Sequence, residues 1–207
     1  NIAASVAVSV LRGTQEASVQ GGNITADSIS AKSMLNSANS NSSRASLITG
    51  SGALASVKAN VAVAYGRSRS IAGIAADKLN VSGGKVQLLS TGNAGTLADI
   101  SNQNFAALSA GVMTGYAYAQ GIFEAYLKLD EGESLEADSV SVETIYTADA
   151  TTELTPSAAG VSGALASIGA NVAVSNASSD ALARIYGGGS IKRSGLYGFF
   201  DDGERYA

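Results

Sequence analysis

The chain has 207 residues, among them 24 Gly, one Pro and no Cys, His or Trp. Ala (37 residues), Ser (30) and Gly make up about 44% of it, whereas aromatic residues are 6% and charged residues 14%. The missing His and Cys exclude a Ser-His-Asp triad, a thiol nucleophile, a disulfide framework and the ordinary zinc or haem site. A net charge of -4 argues against a nucleic-acid partner. With no run of about 18 uncharged apolar residues, no transmembrane segment is expected.

From the N-terminus, Asn1-Ile2-Ala3-Ala4-Ser5 has neither a starting Met nor a basic leader, and reads as the interior of a longer chain. A pattern then recurs. Its first copy, about residues 1–55, has Val6-Ala7-Val8, then Ala17 and Val19, a Gly21-Gly22 turn, and Ile29. The second, 56–110, has Val61-Ala62-Val63, Ala72 and Ile74, Gly83-Gly84, and Val86-Gln87-Leu88. The third, 111–166, has Tyr116-Ala117-Tyr118, Ala125 and Leu127, Glu131-Gly132-Glu133, and Val140-Ser141-Val142. The fourth, 167–194, has Val172-Ala173-Val174, Ala183 and Ile185, and Gly187-Gly188-Gly189, with Leu196 just beyond. Residues 195–207 leave the pattern and read as a cap, a junction or the fragment's edge.

The first markers begin 55, 55 and 56 residues apart, and the second markers follow them by 11, 11, 9 and 11. Self-similarity at a fixed period is the signature of stacked repeats. Within the copies the local period is two. Val57, Ala59, Val61, Val63 and Tyr65 alternate with Ser56, Lys58, Asn60, Ala62 and Ala64, and 168–174 repeat the alternation. That predicts strands. Columns of Val and Ile are expected to line a thin core, with Val6, Val61, Tyr116 and Val172 in equivalent positions and Tyr116 and Tyr118 filling the core.

The expected fold class is all-β: a β-solenoid, read as a parallel β-helix of about four 55-residue repeats. Strand reach permits one wide coil per repeat or three rungs of about 18 residues. The alternative is an antiparallel β meander of stacked repeats, turning at Arg12-Gly13-Thr14-Gln15 and at 176–179.

Charge is uneven along the repeats. Residues 1–100 carry eight Lys/Arg against four Asp/Glu, and residues 101–207 carry five against thirteen. The cluster Asp130, Glu131, Glu133, Glu136 and Asp138 offers oxygen ligands for calcium but lacks EF-hand and nonapeptide spacing, so a solvated loop is expected. Asp201-Asp202 invites comparison with the paired carboxylates of sugar-cleaving enzymes, but adjacent strand residues point to opposite faces, and a polar turn is expected. Gly83-Gly84-Lys85 is followed by Val86 where a phosphate loop needs Ser or Thr. Arg67 and Arg69 read as solvated charge, and the Asn-x-Ser/Thr triplets at Asn23, Asn41, Asn80 and Asn176 as chance matches in a Ser/Asn-rich chain. Tyr116, Tyr118 and Tyr126 sit in the repeat that carries the acidic loop. No catalytic, cofactor-binding or metal-binding residue is assigned, and no enzyme activity is expected.

The element Gly52-Ala53-Leu54-Ala55-Ser56 followed by Asn60-Val61-Ala62-Val63, its counterpart at 163–174, and the Ser/Ala/Asn-rich spacers together resemble a known class. They are similar to the repetitive stalks of large bacterial surface proteins, the filamentous-haemagglutinin-like and autotransporter (leukotoxin-like) adhesins. The resemblance covers about residues 1–194. It implies export to the outer-membrane-attached cell surface or beyond, a β-helical stalk, and attachment to a ligand on host or neighbouring cells. Apart from the resemblance, the expected partners are neighbouring repeats of the same chain and, through the flat Ala/Ser/Gly faces, a laterally associated second chain. The third copy departs from the pattern at Tyr116, Tyr118 and the acidic loop. The competing readings are a self-associating fibre subunit, whose flat Ala/Ser/Gly faces pack sideways, and a polysaccharide-acting β-helix enzyme, which requires Asp, Lys, Arg and aromatic residues at matched repeat positions, where this chain has Ala, Ser, Gly and Val.

Overall fold

The computed structural model describes residues 1–35, 43–51, 54–81, 84–104, 108–155, 166–193 and 196–198. Among the described residues there are strands and no helix. A set of one long, one very short and two intermediate strands recurs along the chain. It runs first through β1 (Ile2–Gln20), β2 (Asn23–Ala26), β3 (Ile29–Leu35) and β4 (Ser43–Ser51). β5 (Ala55–Ala75), β6 (Lys78–Val81), β7 (Lys85–Asn93) and β8 (Thr96–Asn104) repeat it. So do β9 (Leu108–Lys128), β10 (Ser134–Ala137), β11 (Ser139–Thr147) and β12 (Ala150–Thr155). β13 (Ala166–Tyr186) and β14 (Ser190–Arg193) begin it again, and β15 (Leu196–Gly198) follows.

Like strands pair with like. The sheets are β1-β5-β9-β13, β2-β6, β3-β7-β11, β4-β8-β12 and β10-β14-β15. Every pairing is parallel except β14–β15. The antiparallel meander is therefore not formed. Its two supposed hairpin turns lie inside β1 and β13, where Arg12 pairs with Arg67 and Asn176 with Tyr118. Nor do rungs of about 18 residues form, because Ile2 pairs with Val57, Ala55 with Leu108 and Leu108 with Ala166. The 21 residues of β9 reach about 70 Å, and two nine-residue strands laid end to end return about 60 Å of that length.

The second and third sequence markers align as expected. Ala17, Ala72, Ala125 and Ala183 form one column, and Ile29, Val86 and Val140 another. The first marker slips. Val6 pairs with Val61, but Val61 pairs with Thr114 and Thr114 with Val172, while Tyr116 lies between Val63 and Val174. Unbulged strands of equal length keep equal spacing, so the nine-residue interval in the third copy marks the displaced alignment. Leu196 does not continue the Ile29 column; it lies opposite Arg193 in the antiparallel pair. Gly84 is also not equivalent to Gly22. Ala76 and Asp77 take the place of Gly21-Gly22 in the second set, and Gly84 immediately precedes β7.

The core reverses the expected faces. On β5 the small and polar series is inside: Ser56, Lys58, Asn60, Ala62, Ala64, Ser68 and Ser70 are buried, whereas Val57, Val61, Val63 and Tyr65 face out. Two broad sheets lying against each other leave room only for short side chains along most of their length. Large side chains gather at one end, where β6 and β10 add a third wall: Ile74, Leu79, Val81, Val86, Leu88, Leu127 and Leu135 form that cluster. Each such fully buried aliphatic stabilises the fold by about 1.5–3 kcal/mol. Toward the other end Ala62, Ala64, Ala98, Ile100, Met113 and Ala117 form a thinner cluster.

Between the clusters the buried hydroxyls of Ser33, Ser68, Ser70 and Ser90 bond to one another and to backbone carbonyls. Ser33 Oγ and Ser70 Oγ are 2.8 Å apart, Ser90 Oγ donates to Ser70 O at 2.8 Å, and Ser68 Oγ donates to Asn93 O at 2.8 Å. The corner after β1 uses left-handed glycines, Gly21 (φ 69°) and Gly22 (φ 76°), and Asp77 Oδ2 accepts from Gly22 N at 2.6 Å.

Candidate interaction surface

The uncovered face of the β1-β5-β9-β13 sheet divides along the strand direction. Its first half has outward columns of Ile2, Val57, Ala110 and Ile168, then Ala4, Ala59, Val112 and Ala170, then Val6, Val61, Thr114 and Val172, then Val8, Val63, Tyr116 and Val174. No charged side chain stands in these columns. Ile2 is 86% exposed, Ile168 80%, Val6 67% and Val8 62%. A shallow apolar trough of about 450 Å³ crosses all four strands, lined by the Ile2-Val57-Ala110-Ile168 and Ala4-Ala59-Val112-Ala170 columns and by Gly111 and Gly169 between them. Tyr65 and Tyr118 pair side by side where this half ends, and the Tyr116 and Tyr118 rings stack with centroids 6.3 Å apart.

The tyrosines are thus not core residues. Tyr116, Tyr118 and Tyr126 point outward and are half-buried by their neighbours. Tyr126 lies flat over Gly73 on β5, where any side chain would collide with its ring. The even-numbered phase of β9 faces out along the whole strand, and Phe123, of odd phase, is the aromatic of that strand that is fully buried.

The second half of the face is charged. Arg12, Arg67 and Arg69 are exposed on β1 and β5, as solvated charge should be. On β9 and β13, Arg184 bonds Glu124 at 2.6 Å and lies 4.5 Å from the centroid of the Tyr186 ring, which in turn meets Tyr126. Lys58 belongs to the opposite face: it is buried, and loss of hydration lowers its pKa from the ordinary 10.5.

Residues 130–133 of the acidic stretch form a tight turn. Glu133 N donates to Asp130 O at 3.0 Å, and Glu133 carboxylate caps Asp130 N. Lys128 Nζ reaches Asp130 at 2.8 Å, and that bond and charge raise the lysine pKa. Glu136 and Asp138 lie beyond it on and after β10. Among the described residues no three carboxylates gather into a set able to hold a metal ion. Asp201, Asp202, Gly83 and Asn41 lie outside the described residues. The amide of Lys85 donates to Ser28 Oγ at 3.1 Å. Asn23, Asn80 and Asn176 are exposed on strands.

Sequence reading missed the exposed valine face. One signal for it was present: Lys58 and Asn60 share a phase with Ala62 and Ala64, and a narrow interior accepts that series more readily than one of Val and Tyr. No helix among the described residues is long and apolar enough to cross a membrane. No protein-family model matches the chain, and no curated protein or solved structure matches it.

Proposed function

We propose that the chain is a structural and adhesive stalk segment of a large bacterial surface or secreted protein, wound as a β-solenoid of about four 55-residue coils. The observation that carries this reading is the pairing of each long strand with its counterpart 53 to 58 residues further on, in parallel and without bulges. A chain so wound grows by adding units, and its length is set by unit number. Growth by units suits a spacer that holds a binding tip away from a cell. Repeated faces also suit weak multivalent attachment, where poor sites add through avidity. Residues 1–194 form the repeat region in this reading, and 195–207 a cap or junction.

Two of the described acids are held in ion pairs on the sheets. Glycoside hydrolysis needs two carboxyl groups flanking one bond, whereas Glu124 is tied to Arg184 and Asp99 to Arg44. Adhesion is tested by coating beads with the purified chain and measuring their retention on epithelial and bacterial cell layers. The expected result is retention that excess soluble chain competes away. Retention no higher than that of albumin-coated beads removes the adhesive role.

A further inference from the structure

We infer that the uncharged half of the long sheet is an interface between two copies of this chain, packed face to face with their strands antiparallel. The inference rests on the geometry of the sheet and is independent of adhesion.

Size is the first argument. Four strands about 4.8 Å apart, each with five outward residues about 6.6 Å apart, cover about 600 Å² in projection. That matches or exceeds the largest apolar patch of a typical monomer. Protruding side chains and the adjoining Arg12 and Arg67 bring it toward the scale of about 800 Å² per partner that a stable pair buries. Composition is the second. The face carries no charge to desolvate, and its rim has the Tyr and Arg favoured at interfaces. Parallel sheets are as a rule covered on both faces, and this one is covered on one.

Shape selects a second copy and its orientation. The trough lies over the Ala4–Ala59 rows, and four residues further along stand the taller Val8, Val63 and Tyr116. A two-fold axis across the strands at the level of Val6 sets Val8 over Ala4 and Val63 over Ala59 of the other copy, while Tyr116 meets Val112. The same operation leaves both charged halves outside the overlap, in water. A two-fold axis along the strands sets trough over trough and stacks the charged halves together.

The test uses sedimentation velocity of the whole chain across a wide concentration range. A reversible monomer–dimer equilibrium is expected. Val8→Lys and Val63→Lys are expected to raise the dissociation constant at least tenfold with an unchanged circular dichroism spectrum, and Arg69→Gln to leave it within twofold. Because the chain has no cysteine, Val6→Cys gives a single reporter. Facing sheets are about 10 Å apart, so a bismaleimide of similar span should join two Val6→Cys copies and fail with Arg69→Cys. Three results overturn the proposal: a monomer at every concentration, a dimer indifferent to both lysines, or linking equal at the two cysteines. A monomer that partitions into phosphatidylcholine vesicles assigns the face to lipid and also overturns it.

Discussion

Phe123 fills the space that Gly92 leaves empty on the facing sheet. A Cβ on Gly92 would stand 2.3 Å from Phe123 Cε1, and one on Gly121 would stand 2.3 Å from Phe123 Cε2. The ring is fully buried and stacks on Tyr146 with centroids 5.5 Å apart. In the neighbouring set the same levels hold the bonded serines: Phe123 lies beside Ser70, and Gly121 beside Ser68. One layer therefore fills the gap between sheets with hydroxyl pairs and the next with a ring between two glycines. Phe123→Ala is expected to cost about 3–5 kcal/mol. Gly92→Val should cost about 1–3 kcal/mol through overpacking. Urea denaturation of the two variants checks both, and a loss under 1 kcal/mol for either contradicts this packing.

Gly187 and Gly132 share a left-handed backbone but not its surroundings. Gly187 has φ 111°, and a Cβ there would stand 1.9 Å from Leu129 O. Gly132 has φ 85° with open space around it. Alanine at 132 meets only the conformational cost, about 1–2 kcal/mol. At 187 it must also push a backbone carbonyl aside, so Gly187→Ala should lower thermal stability clearly more. Equal melting temperatures for the two variants would show that the corner after β13 is formed differently.

The repeat and its strand character were legible because they are written twice, once in the 55-residue spacing and once in the period of two. Which face turns inward was not. Alternation separates Val61 and Val63 from Ala62 and Ala64, but two broad apposed sheets favour the short series, and nothing local states how close those sheets lie. The trade between Phe123 and the serines depends on residues about 30 positions apart on facing sheets. The Tyr126–Gly73 contact joins neighbouring strands with no shared motif. Such relationships are created by the winding and leave no trace within one strand.

Lys58 gives the fold a pH dependence with a definite sign. Burial lowers its pKa in the folded chain, while the unfolded chain titrates at the ordinary 10.5. Between those values the unfolded state binds more protons, so stability rises with pH. The penalty is fully present below the folded value and gone above 10.5. Urea midpoints measured from neutral pH toward 10.5 should therefore climb more for the wild-type chain than for Lys58→Met. Comparing the two chains cancels the other groups that titrate there, and parallel curves would sink the prediction.

Removing one whole unit tests the winding itself. Ala55 pairs with Leu108, so excising residues 55–107 and joining Leu54 to Leu108 restarts the next long strand at the same level. β1 would then meet β9, with Ile2 beside Ala110, Ala17 beside Ala125 and Val19 beside Leu127. β3 would meet β11 with Ile29 beside Val140, repeating pairings of the same chemical type. In a stacked array stability is a sum of unit terms and neighbour terms, so losing one unit lowers it without abolishing the fold. The shortened chain should keep a β-type circular dichroism spectrum and a cooperative melt at lower temperature. Its stack should be shorter by one strand spacing, about 4.8 Å. A globular fold with one indivisible core loses both spectrum and melt on such an excision, and that outcome would refute the solenoid.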